Sequence, residues 1–180
     1  MKIKNAMIDL ETLAVDSDAV VLTLGAVKFD PFTDEIVDKL HLKLDVNSQI
    51  EKGRITCEDT LAWWGRQDKK VRETAFSEHD RIDVDKALDV LLEWSMNTSR
   101  VWCQGTSFDF PILASLFIQY EKKHPWEFWH QRDSRTVTSL IPENIKEKIN
   151  FSAHNAVEDC VAQAKCVQYV YKKLGITHTF

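Results

Sequence analysis

A chain of 180 residues that is 44% hydrophobic, with six tryptophans and nine phenylalanines, holds enough apolar surface for one domain with its own core, which excludes a disordered polypeptide. Its net charge of −5 argues against an extended basic surface, but it does not exclude a site in which carboxylates hold cations. No apolar run approaches the roughly 20 residues of a membrane span, the start Met1–Asn5 has no signal-peptide core, and Cys57, Cys103, Cys160 and Cys166 lack the CxxC spacing of a zinc site or disulfide scaffold, so a cytoplasmic, membrane-free location is expected.

Taken in chain order, residues 3–10 read as a strand entering a core and residues 20–29 as a second, closed by turn residues at Asp30, Pro31 and Asp34. Residues 35–44 partly alternate, as a half-exposed third strand would. Such short connections make these three strands antiparallel neighbours. After a polar stretch around 47–53, residues 57–67 suit a helix carrying Trp63 and Trp64, and residues 84–96 have helical spacing at Val84, Leu88, Leu91 and Leu92. A short strand at 100–104 then leads through Gly105 into a helix over 108–122, with Ser107 as its expected N-cap. Residues 126–131 suit a strand and 133–140 a helix. The last helix spans 156–174, with Asn155 and Glu158 at capping-box spacing and Gly175 as its stop. The fold class expected is α/β: a mixed sheet of three antiparallel strands followed by parallel strands, flanked by helices, in a single domain over residues 1–180. The least regular segment, 142–153, is a candidate mobile flap.

Three acidic motifs carry the chemistry. Asp9 and Glu11 lie two apart on the first strand and share one face, while Ile8 and Leu10 point into apolar packing. Paired carboxylates raise each other's pKa unless a cation intervenes, and hard oxygen donors suit Mg²⁺ or Mn²⁺. A solvated strand end would show the same pattern. Asp109 falls in the first turn of its helix, where the helix dipole favours a carboxylate for stability alone. Asp159 opens the last helix and His154 stands just outside it, able to take a proton near neutral pH or simply to flank a capped helix. Capping alone would not require all five together. Two divalent ions about 3.5–4 Å apart, held by such a set, clamp the attacking and leaving oxygens of a phosphodiester. In that arrangement Asp9 bridges both ions, Glu11, Asp109 and Asp159 complete the cage, and His154 deprotonates water.

With Asp9-Leu10-Glu11-Thr12, Ser107-Phe108-Asp109-Phe110 and His154 with Asp159 five residues on, the chain resembles the DEDD superfamily of 3′→5′ exonucleases in its histidine-bearing DEDDh branch, which has a ribonuclease H-like fold. It is similar above all to the phage exonuclease A group, itself related to ribonuclease T-like exoribonucleases. That similarity extends through Leu61-Ala62-Trp63-Trp64, 105–113 and 128–136. The resemblance implies metal-dependent removal of nucleoside 5′-monophosphates from single-stranded DNA or RNA 3′ ends. It further implies Thr12 and Leu13 beside the terminal nucleotide, a phage or prophage origin, and compatibility with a homodimer. Trp64 and Phe108 are candidate base-stacking residues, although Trp63 and Trp64 cannot face the same way on a helix and at least one belongs to the core. Arg132, with Asp133, is read either as fixing the second motif's helix or as a phosphate contact. The lysine pairs at 69–70 and 122–123 read as solvated surface. Three alternatives stand beside this reading: a narrower enzyme that degrades short oligonucleotides or trims RNA, a non-catalytic nucleic-acid-binding module, and a polymerase-associated proofreading subunit.

Overall fold

The computed structural model describes residues 5–149 and 155–178. Its six-stranded sheet has the order β4-β3-β2-β1-β5-β6, with β1 at Asn5–Thr12, β2 at Val21–Phe29, β3 at Ile36–Leu44, β4 at Arg81–Ile82, β5 at Arg100–Cys103 and β6 at Gln131–Asp133. As expected, β1, β2 and β3 are antiparallel neighbours, and β5 and β6 then run parallel to β1. The helices are α1 (Val46–Glu51), α2 (Glu58–Gly65), α3 (Lys69–Phe76), α4 (Val84–Trp94), α5 (Asp109–Gln119), α6 (Ser134–Thr138), α7 (Ile145–Lys148) and α8 (Ala156–Lys173).

Strand alternation sorts β1 between two layers. Ala6, Ile8 and Leu10 face α4 and α5, packing with Leu88, Leu91, Leu113 and Phe117. Met7 faces α8 and joins Val27, Phe29, Trp102, Cys160 and Val167. Asp9 and Glu11 continue the α8 face and end it in carboxylates, which places the charge at the C-terminal end of the central strand. Asn155 caps α8 by accepting from Glu158 N (3.3 Å), and Glu158 itself pairs with Lys39 of β3 (3.5 Å). Gly175 ends the helix at φ +66°.

Several elements depart from the sequence reading. Residues 126–131 are not a strand: Trp126 is buried and its indole donates to Thr98 Oγ1 (2.9 Å). A 3-10 turn at Phe128–His130 follows, closed by the Glu127–His130 capping pair, and β6 begins only at Gln131. Ser107 is not the cap of α5. The turn made by Phe108 N on Gly105 O (3.0 Å) leaves Phe108 at that position without a side-chain cap. The polar stretch near 47–53 contains α1, capped by Asp45, and α3, capped by Asp68, was not anticipated. Part of the irregular stretch 142–153 is α7, where Ile145 packs with Ile141 against Cys166 and Val170 of α8.

Candidate active site

Strand β1, helix α5 and helix α8 converge their acidic residues at one end of the sheet. One carboxylate oxygen from each of Asp9, Glu11 and Asp159 lies within 4.8 Å of the other two. Glu11 and Asp159 are each 9% exposed and Asp109 is 3% exposed, while Asp9 is half-buried. Asp109 closes the group from α5: its Oδ1 accepts from Leu10 N of β1 (3.1 Å), and the Cys103 thiol adds a further hydrogen bond. The structure therefore assembles all four predicted carboxylates, three within ligand distance of each other and the fourth tied to the same strand. His154 lies outside the described residues.

Burial and mutual repulsion dominate the electrostatics. The Asp9 carboxyl is pushed well above its ordinary value, first by burial and then by Asp109, Glu11 and Asp159, with the Gln163 amide pulling the other way. Burial with Asp159 and Asp109 raises Glu11 to about 8. Burial raises Asp109 to about 7 against the opposing hydrogen bonds and the Arg135 guanidinium. Oxygen donors that repel one another in a sheltered cleft fit a hard divalent cation, whose charge would remove the repulsion.

A group whose folded pKa is raised stabilises the fold below its unfolded pKa and loses that contribution as pH rises through the folded value. Between about pH 4.5 and 8 the metal-free protein should therefore lose on the order of a few kcal/mol from Glu11 and Asp109. Thermal melts in EDTA should show the midpoint falling across this range. A divalent cation should restore it, and by more near pH 8 than near pH 5.5, where protons compete for the carboxylates. A midpoint independent of both pH and cation would contradict the electrostatic picture.

Two pockets flank the carboxylates. One of about 550 Å³ is lined by Glu11, Thr12, Trp63, Trp64, Arg66 and Phe108 among others. Trp64 borders the pocket from within the core: it is 2% exposed, its indole donates to Thr12 O (2.9 Å), and it packs against Phe76. Its neighbour Trp63 is the more exposed tryptophan at the pocket, 36% exposed and edge-on to Trp64. Leu13 turns into the core with Trp64, Leu22 and Ala75, beyond the pairing irregularity between Glu11 and Thr12. Arg132 pairs across β5 with Trp102, level with Met7 and not with Asp9. Its guanidinium donates to Trp129 O (2.7 Å) and Gln131 O (2.8 Å), closing the turn into β6. Asp133 does brace the second motif, accepting from Thr106 N (3.3 Å) while capping α6.

The second pocket, about 330 Å³, includes Gln104, Ser134, Arg135 and Gln163. Two of these escaped the sequence reading. Arg135, which donates to Gln104 O (3.1 Å), is the cation that acts on Asp109. Gln163 donates from Nε2 to Asp9 Oδ1 (2.8 Å). Only the one-turn spacing from Asp159 to Gln163 hinted at a shared helix face.

A mixed sheet whose central strand ends in carboxylates, completed by acids from two helix starts, is the fold of solved exonucleases, and the chain is a 3′→5′ exonuclease. More narrowly, residues 4–171 match the model of the 3′-5′ exoribonuclease Rv2179c-like domain, and the chain belongs to that family. It is 29% identical over 204 residues to the exodeoxyribonuclease of Enterobacteria phage T4, an alignment covering 92% of this chain and 88% of that protein. Exonuclease X, solved with 5′ overhanging duplex DNA, superposes with a TM-score of 0.63 at 14% identity, covering 95% of this chain and 93% of that one. The nuclease domain of 3′hExo, a DEDDh family member bound to rAMP, superposes with a TM-score of 0.59 at 12% identity, covering 97% and 94%. Among the described residues, no helix is long and apolar enough to cross a membrane.

Proposed function

We propose that this exonuclease hydrolyses single-stranded DNA or RNA from the 3′ end to nucleoside 5′-monophosphates, using two divalent ions, Mg²⁺ or Mn²⁺, and His154 as general base. The observation that carries the reading is the meeting of the Asp9, Glu11 and Asp159 carboxylates within 4.8 Å, with Asp109 tied to the same strand. Asp9, Glu11, Asp109 and Asp159 would hold the ions, which when bound supply charge neutralisation at the phosphodiester and an acidified water. The protein's own part is to present these oxygens already gathered and sheltered, so that little reorganisation is needed during reaction. His154 takes the proton of the attacking water at a ring nitrogen. Thr12, Phe108 and Trp63 border the pocket beside Glu11, which has the apolar walls a terminal base needs for stacking. A reducing, cytoplasmic setting fits four cysteines, none of which forms a disulfide.

The family description favours RNA and the phage relative's name DNA, so the test uses both sugars. Matched 5′-labelled single strands of DNA and RNA are incubated with Mg²⁺, Mn²⁺ or EDTA. The expected result is a ladder that shortens from the 3′ end with either ion and is absent in EDTA, with 5′-monophosphates as product. Binding to both strands without turnover under any ion would replace this reading with the non-catalytic module. Cleavage confined to the shortest oligomers would narrow it to an oligonucleotide-degrading enzyme.

A further inference from the structure

Gln163 touches the site without a place in the reaction described so far. It stands on α8 four residues after Asp159, on the same helix face, and is 4% exposed. Its Nε2 donates to Asp9 Oδ1 at 2.8 Å, joining residues 154 apart in the chain. Its Oε1 is buried, with no hydrogen-bond partner among the described residues. The ionised carboxylate that binds a cation only accepts hydrogen bonds, so in that state the amide turns its NH₂ end towards Asp9, as observed, and its oxygen is thereby committed to the interior. A buried acceptor without a donor carries a desolvation cost that a methionine or leucine in this place would avoid. The neighbouring helix positions Cys160, Ala164 and Val167 are packed in the core, and although Gln163 borders a pocket with Gln104, Ser134 and Arg135, no described residue donates to its oxygen.

The chemistry of the donor explains why the amide is there. A lysine or arginine would also orient Asp9, but its charge would compete with a cation for the same carboxylate. A neutral N–H donor holds one oxygen in place, leaves the charge intact, and leaves the second oxygen free. We propose that Gln163 is a positioning residue of the exonuclease, holding the Asp9 carboxylate in its cation-binding orientation through the Nε2–Oδ1 hydrogen bond at the expense of an unpaired buried oxygen. The inference rests on the proposed role of Asp9 as a metal ligand.

The test compares Gln163→Met, Gln163→Glu and Asp9→Asn with the unsubstituted protein. Three readouts are taken: Mn²⁺ affinity by calorimetry without nucleic acid, kcat and KM on a labelled oligonucleotide, and the melting temperature in EDTA. Gln163→Met keeps length and volume but lacks the donor. It should lower kcat about 10–100-fold and weaken Mn²⁺ binding, the scale expected when a group that orients a metal ligand is lost. KM should stay within about twofold, and the metal-free melting temperature should be unchanged or raised. Gln163→Glu replaces the donor with an acceptor and should fall further than Gln163→Met in both kcat and Mn²⁺ affinity. A Gln163→Met protein that melts lower in EDTA but keeps its Mn²⁺ affinity and kcat would make Gln163 a packing residue and overturn the proposal. So would a Gln163→Met protein equal to the unsubstituted one in every readout while Asp9→Asn is inactive. Full activity and Mn²⁺ binding in Asp9→Asn would instead remove the metal-ligand reading of Asp9, and this inference with it.

Discussion

Replacement of Asp109 by asparagine should leave a folded protein whose cleavage rate has fallen about 10³-fold or more, the scale of removing one preorganised polar group from a transition-state site. Asparagine is nearly isosteric, and its Oδ1 can still accept from Leu10 N, the bond that ties α5 to β1 in the native protein. What disappears is a negative charge. A structural reading of Asp109, as an acid placed at a helix start to satisfy the helix dipole, predicts that the substitution destabilises the fold by about 0.3–1 kcal/mol. The site's electrostatics predict the opposite. Asp109 is the largest single charge acting to raise the Asp9 carboxyl, and its own carboxyl is held up at about 7 by burial. In EDTA at about pH 8, Asp109→Asn should therefore be more stable than the parent by on the order of 1 kcal/mol or more. The fall in stability between about pH 4.5 and 8 should flatten as well. Single-turnover kinetics and paired melts read both effects. Activity within tenfold of the parent, together with a lower melting temperature, would return Asp109 to the helix-dipole role.

The parts of the site legible in the sequence are those set by local geometry. Alternation along β1 is enough to place Asp9 and Glu11 on one face opposite Ile8 and Leu10, and the Asn155 cap is enough to start α8 so that Asp159 falls in its first turn. Where tertiary docking decides, local pattern stops short. The adjacency of Trp63 and Trp64 requires that they diverge, but Trp64 becomes the core residue because α2 docks so that its indole meets Thr12 O. Arg132 and Arg135 look alike on paper. Strand register carries Arg132 to the level of Met7, whereas Arg135, beyond the Asp133 cap, reaches Gln104 O and acts on Asp109. The aromatic run that reads as a strand at 126–131 instead folds around the anchor from Trp126 to Thr98. Gln163 could not have been singled out, because its partner is 154 residues away.

Gly25 belongs to that same hidden class, and Gly25→Ala should be the most damaging glycine-to-alanine substitution in the protein. Gly25 sits on β2 directly across from Asp9, under the first turn of α8. A Cβ built on it would lie 2.2 Å from the Ala156 carbonyl carbon, 2.3 Å from its oxygen and 2.4 Å from Val157 N. All three are backbone atoms, so no side-chain rotation relieves the clash, and the start of α8 must lift by about 1 Å or more to reach ordinary contact. The Cys160 thiol, which donates to Gly25 O (3.3 Å), would be pulled from its acceptor by the same movement. Overpacking usually costs about 1–3 kcal/mol, and a backbone-on-backbone clash belongs at the upper end or beyond. In a chain of this size that lowers the melting temperature by roughly 10 °C. The functional loss should exceed what unfolding explains. Asp159 rides on the displaced turn while Asp9 and Glu11 stay on the strand, so the 4.8 Å grouping of the three carboxylates opens. A misplacement of about 1 Å can cost 10²-fold in rate. Measured well below the melting transition, kcat should therefore drop about 10²-fold or more and Mn²⁺ affinity should weaken in parallel. Gly65→Ala is the control, because a Cβ there meets nothing within 4 Å, and it should change neither quantity. If Gly25→Ala kept the parental kcat and melting temperature, the close seat of α8 on β2 would not be what holds Asp159 against Asp9.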